Sequence, residues 1–343
     1  MILRSVVSVA ALLAFVTGLV AQPGGGFPRV PVPPGNPITA EKTFLGKALF
    51  FEEQMSSSRM MACATCHIFD AGGSDPLTGR HPGLDGVLMT PDDVLGSSGQ
   101  VNSVTGGKYE RSNLFGLRHQ VTRRRAPSVI NAAFFPLLFW DGRASGEFRG
   151  PNSNQIVLPD RGALESQSVE PPVNSTEMCS VGDTWTEVVN RLTNARPLAL
   201  AEGIPGPLAT FLGNKGYPEL FQVTFGTTAI TPKRIAFAIA TYERTLISDQ
   251  SPFDSFQRGN QTALSASQRR GMDLFRGRCD NCHQGALQTD NQFHNTGVRP
   301  VAEDNGRQGV TSRNGDRGQF KTPTLRNVAL RAPYFHNGQM ATL

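Results

Sequence analysis

Two five-residue strings, CATCH at 63–67 and CDNCH at 279–283, constrain this chain more than anything else in it. They use four of its five cysteines, and each Cys-X-X-Cys pair is followed at once by a histidine. Three chemistries use such pairs: a zinc site, two redox disulfides, or two covalent c-type hemes. Only the third has a use for the histidine. In heme attachment two thiols add to the porphyrin vinyls, and the adjacent imidazole, held on the same short helix, becomes the proximal iron ligand. With six histidines in 343 residues, both pairs carrying a following His by accident is about a 3 in 10,000 event. The reading is therefore two c-type hemes, one on Cys63, Cys66 and His67 and one on Cys279, Cys282 and His283, with zinc and disulfide exchange as alternatives. The fifth cysteine, Cys179, reads as a buried thiol.

A helix delivers the chain to each motif. Residues 39–51, TAEKTFLGKALFF, carry a capping Thr39 and apolar residues at helical spacing ahead of the first; Ser265 and Gln268 form a capping box ahead of the second. Residues 231–248 have a cap, a proline at the first helical position and an apolar stripe at Ile235, Ala238, Ile239, Tyr242 and Leu246, and read as the first long helix of a second domain. Strand-like alternation is lacking, while Gly and Pro make up 60 of 343 residues. That composition predicts a mainly α fold with long loops, and residues 70–118 and 145–162 as surface excursions.

The N-terminus has one Arg, an apolar stretch from about Val6 to Val20 and a small residue, Ala21, which together read as a signal peptide over 1–21. The stretch is short for a membrane anchor and is interrupted by Ser8, Thr17 and Gly18. Residues 22–38 read as a Pro/Gly-rich linker. Export predicts a periplasmic protein with no membrane span once the signal is removed. Apolar residues at 38% and charged residues at 18% exclude a disordered or multi-span chain. The net charge of +5 rests on scattered basic residues with few Tyr and Trp, so no nucleic-acid partner is read from it.

The two motifs flank APSVINAAF (126–134), LFWDGRA (138–144), ALESQSVEPPVNSTEM (163–178), AIATYERTLIS (238–248) and FKTPTLRNVALRAPYFHNG (320–338). In that order, from about residue 39 onward, they resemble the bacterial diheme cytochrome c peroxidases, a superfamily that includes the MauG-type enzymes. The resemblance implies two cytochrome c-like heme domains, 39–228 and 229–343. It implies that hydrogen peroxide is reduced to water with electrons from a small cytochrome c or a cupredoxin, in a chain that can form a homodimer. The C-terminal heme would receive electrons and the N-terminal heme would meet peroxide. Trp140 matches the tryptophan between the hemes, an electron relay, where the plainer reading is a core indole. Glu177 matches the distal glutamate that shuttles protons, a role that suits a carboxyl whose pKa is raised by burial. Gln167 and Pro171 match the other distal-pocket residues, and Met178 reads as packing.

Several positions depart from the family pattern. The peroxidase members place a second histidine on the N-terminal iron; the candidates here are His119 and His81, and the alternative is an open iron as in MauG-type members. The family also binds calcium between its domains through an Asn side chain just before the Ala-Pro pair, where this chain has Arg125, the last of the run Arg123–Arg125. A guanidinium cannot ligate calcium, so calcium is called into question, although carbonyls near Arg331 and Pro333 remain. The chain ends at Leu343, short of the Met or Tyr that completes the electron-receiving heme, so it is expected to be a piece of a longer protein. Met340 is the nearby thioether, and His294 and His336 have no assignment. Two further functions stay in view: a MauG-type oxidase acting on a protein substrate, and a plain diheme electron carrier.

Overall fold

The computed structural model describes residues 26–298 and 304–343; the signal-peptide reading and the first residues of the linker lie outside them. The predicted helices form where the caps place them. Helix α1 (Ala40–Phe50) begins at Thr39, whose hydroxyl accepts from the Lys42 amide at 3.2 Å. It buries Leu45, Ala48, Leu49 and Phe50 completely. After the one-turn helix α2 (Cys63–Cys66) come α3 (Ala163–Ser168), α4 (Trp185–Asn194), α5 (Gly206–Leu212) and α6 (Tyr217–Phe225). Helix α7 (Pro232–Glu243) follows, then α8 (Pro252–Gln257) and α9 (Ala266–Phe275), which starts at the predicted Ser265–Gln268 capping box.

Helix α7 departs from its expected place. Its stripe of Ile235, Ala238, Ile239 and Tyr242 shares one core with Leu45, Leu49, Leu192, Tyr217 and Phe221 of the N-terminal half. Gly46 of α1 meets α7 so closely that a Cβ there would lie 1.9 Å from the Ala238 carbonyl oxygen. The helix thus packs with the N-terminal core, and a division near residue 228 would cut that core in two. Apolar periodicity identifies a buried face but not its partner. Helix α9, by contrast, buries none of its residues.

The stretch 70–118 is also more than a surface excursion. Strands β1 (Thr78–His81) and β2 (Val94–Val101) pair antiparallel, and the strand His119–Val121 pairs on the other side of β2. Most of β2 is buried. Its sequence, VLGSSGQV, does not alternate because two glycines serve close approach: a Cβ on Gly99 would lie 2.1 Å from the Thr176 carbonyl oxygen, and one on Gly96 2.8 Å from the amides of Arg123 and Arg124. Among the described residues, the fold is thus helical with one three-stranded sheet and four two-stranded pairs set into it.

The segment read as a linker has no helix or strand in its described part, but it is packed. Phe27 lies edge-on to Phe134, with the Arg326 guanidinium 4.5 Å from its ring. Asn36, fully buried, donates to Glu165 at 2.8 Å. Glu165 also pairs with Arg244, and both are buried.

Candidate active site

The two Cys-X-X-Cys-His strings border one cavity of about 1260 Å³. In the first, the turn Cys63–Cys66 is closed by the His67 amide donating to Cys63 at 3.0 Å. Gly72 and Gly73, both at positive φ, swing the chain back so that Gly73 presents its carbonyl to His67 Nδ1 at 3.3 Å. In the second, the His283 amide donates to Cys279 at 2.9 Å, and His283 Nδ1 meets the Gln288 carbonyl at 3.2 Å. Each imidazole is thus oriented through Nδ1, which leaves Nε2 as the ligating atom. Burial lowers the His67 pKa to about 4 and keeps the ring in the neutral form that binds iron.

Glu177 faces the same cavity from a turn that one residue holds in shape. The Asn174 carbonyl accepts the amides of Glu177, Met178 and Cys179 at 3.2, 2.9 and 2.9 Å, and its side-chain oxygen accepts those of Thr176 and Glu177 at 2.9 and 3.2 Å. The sheet braces this turn, for the Gln100 amide of β2 donates to Thr176 at 2.9 Å and Gln120 Nε2 to Ser175 at 2.9 Å. Burial pushes the Glu177 carboxyl up to about 7; Arg143 opposes the shift and Glu170 adds to it. Gln167, at the end of α3, and Pro171 line the same cavity. Met178 and Cys179 are buried in the main core.

Trp140 borders the cavity with both motifs. Its indole N–H donates to the Arg125 carbonyl at 2.8 Å, its own carbonyl accepts the Lys321 amide at 2.8 Å, and its ring lies 6.4 Å from that of His336. His336 in turn stacks on Phe320 at 3.7 Å.

The sequence matches the family described as di-haem cytochrome c peroxidase over residues 40–262. The chain belongs to that family. Among its curated relatives are the cytochrome c peroxidase Ccp of Escherichia coli, 32% identical over 92% of this chain, and the methylamine utilization protein MauG of Methylorubrum extorquens, 32% identical over 92%. The chain spans 54% of the first relative's length and 69% of the second's. Two solved structures share the fold. A MauG-like protein associated with microbial copper homeostasis aligns with a TM-score of 0.60 at 23% identity, over 92% of this chain and 78% of that one. The diheme peroxidase BthA from Burkholderia thailandensis aligns with a TM-score of 0.56 at 21% identity, over 94% and 76%.

The cofactors of a di-haem family are two hemes, and the residues fit them. One large cavity touches both motifs, and each histidine is turned by a main-chain carbonyl. The other readings of the cysteines fit less well. The four thiols do not gather into a site among the described residues, where the one cluster of metal-type donors is Cys282, Asp290 and His294. Burial pushes the Cys66 thiol up to about 12, opposite to what thiol exchange requires.

Two candidates are not brought to the site. His81 is buried edge-on against Phe115 at 4.9 Å, and His119 Nδ1 bonds the Gly99 carbonyl at 2.9 Å. Both border a separate cleft with Arg80 and Arg118, where the strands that carry them pair on either side of β2, and neither lines the cavity with His67. Neither is placed as a ligand of the N-terminal iron. Calcium does not fit either: the Arg125 guanidinium is already bonded to the carbonyls of Asp75 at 2.7 Å and Ala332 at 3.4 Å.

Other cavity residues escaped the sequence reading. Glu243 of α7 is fully inside, and burial pushes its carboxyl up to about 8. Lys321 donates to the Leu137 carbonyl at 2.8 Å and lies 4.3 Å from the Phe135 ring, and burial pulls its ammonium down to about 7. Nothing in a single sequence marks a lysine as buried.

Proposed function

We propose that the protein is a periplasmic diheme peroxidase that reduces hydrogen peroxide to water with electrons from a small cytochrome c or cupredoxin. It would be exported by its signal peptide and built as two cytochrome c-like domains, with α7 counted in the first. Two hemes, held by Cys63, Cys66 and His67 and by Cys279, Cys282 and His283, supply the redox chemistry, H2O2 + 2 e− + 2 H+ → 2 H2O. The observation that carries the reading is that both motifs border one cavity together with Glu177, Gln167 and Trp140.

The protein's own part is proton handling, orientation and a path for electrons. A carboxyl with a pKa near 7 takes up and gives back a proton at neutral pH with little penalty either way, so the Glu177 carboxylate oxygen can accept a peroxide proton and return it to the departing oxygen. Gln167 offers an amide in the same cavity to orient the substrate. Trp140, fixed through its indole N–H, offers a large polarisable ring on the wall that both motifs share.

One observation favours a second reading. His81 and His119 border a separate cleft and not the cavity that holds His67, so neither would serve as a second ligand of an N-terminal heme, which favours a MauG-type oxidase acting on a protein substrate. A plain electron carrier has no use for the Glu177 and Gln167 pair. The test is oxidation of a reduced small cytochrome c by peroxide with the heme-loaded protein, before and after partial reduction. Turnover from the outset supports peroxidase activity at an open site, and turnover only after reduction restores a distal ligand that must leave. No turnover with both hemes intact overturns the peroxidase reading.

A further inference from the structure

The residue that excludes calcium sits at a junction. Arg125 is 5% exposed. Its Nε donates to the Asp75 carbonyl at 2.7 Å, in the loop that follows the first heme motif, and its Nη2 donates to the Ala332 carbonyl at 3.4 Å, in the C-terminal segment. Its main chain ties two more groups to the same point: its amide donates to His336 at 2.6 Å and its carbonyl accepts from Trp140 at 2.8 Å. The buried carboxylate of Asp75 supplies counter-charge nearby.

A second guanidinium stands beside the first. Arg331 is buried, its side chain packs over Gly72, and it donates to the Thr324 carbonyl. Arg125 and Arg331 repel one another. Calcium needs six to eight oxygen ligands at 2.3–2.6 Å. Here the carbonyls of Asp75 and Ala332 already accept N–H groups, and two fixed positive charges face any incoming cation.

We propose that Arg125 is a built-in cation that joins the two halves of the chain where its relatives' pattern calls for calcium, making the assembly indifferent to calcium. A divalent ion can be removed by a chelator, whereas a guanidinium covalently attached to the chain cannot. The fork also carries direction, since Nε and Nη2 reach carbonyls on opposite sides of the junction. The inference rests on the geometry at Arg125 and the family pattern, and it holds whether or not the protein turns over peroxide.

The test uses the heme-loaded full chain and reads its thermal midpoint and the heat of titration with about 1 mM calcium, with and without EGTA. Wild type is expected to keep its midpoint within about 1 °C and to show no binding heat. Arg125→Asn, which removes the guanidinium and supplies an amide oxygen, is expected to lose several degrees (~4 °C or more) in EGTA and to recover part of the loss with calcium. A calcium-dependent rise in the wild-type midpoint overturns the proposal, as does an Arg125→Asn protein as stable in EGTA as wild type. Should Arg125→Asn not fold, Arg125→Lys retains the charge without the fork and is expected to fall between the two. A wild-type midpoint for Arg125→Lys would mean the fork bridges nothing.

Discussion

Trp140 is held through a main-chain atom of Arg125: its indole N–H reaches the Arg125 carbonyl at 2.8 Å, while the Arg125 amide reaches the His336 carbonyl at 2.6 Å. The indole N–H is therefore anchored by the backbone at residue 125. Trp140→Phe keeps an aromatic ring there but removes the donor. It should slow electron transfer between the hemes at least tenfold, read by rapid-mixing spectroscopy, and cost about 1–3 kcal/mol by leaving a carbonyl unpaired. Unchanged inter-heme transfer would remove Trp140 from the electron path.

Glu177→Gln keeps the size of the side chain and abolishes its ionisation. Peroxide turnover should fall by about 100-fold or more, and the inflection near pH 7 in the wild-type rate profile should vanish. The same group also shapes stability. Its folded pKa of about 7 lies above the ordinary 4.5, so between these values the folded state holds a proton that the unfolded chain has released. Stability from this group is fully present below pH 4.5, declines as pH rises to 7 and is level above. Thermal midpoints measured across pH 4.5–8 should decline less steeply in Glu177→Gln.

Gly99 touches the turn that carries Glu177. In Gly99→Ala the new Cβ, 2.1 Å from the Thr176 oxygen, must push β2 or the turn aside, at about 1–3 kcal/mol. Turnover should drop while the heme spectra of both sites persist. An alanine variant as active as wild type would mean that the brace does not set the height of Glu177.

His81→Ala and His119→Ala should each leave the oxidised heme spectrum unchanged, because both side chains border a cleft separate from the one that holds His67. A change from six- to five-coordinate iron in either variant would show that the chain rearranges around bound heme to recruit that histidine.

What was readable in advance depended on how local the cause was. The starts of α1, α7 and α9 follow from Thr39, Thr231 and Ser265 with Gln268, each acting within three residues. The heme-binding strings were legible for the same reason. The partner of α7 was not, because that choice is made at Gly46, almost two hundred residues earlier. Strand β2 was hidden because Gly96 and Gly99 replace the usual branched residues where another backbone comes close. Resemblance led to Glu177, and the turn built by Asn174 explains why the carboxyl stands where it does. The charges of Glu243 and Lys321 gave no local signal at all.

The two heme-binding strings are secured unequally. Helix α1, with Leu45, Ala48, Leu49 and Phe50 fully covered by the core, exposes its amides to exchange only when the whole core opens. Helix α9 buries nothing and leaves Leu274 65% exposed, so its hydrogen bonds break in small local openings. Amides of α9 should therefore exchange with solvent faster than those of α1.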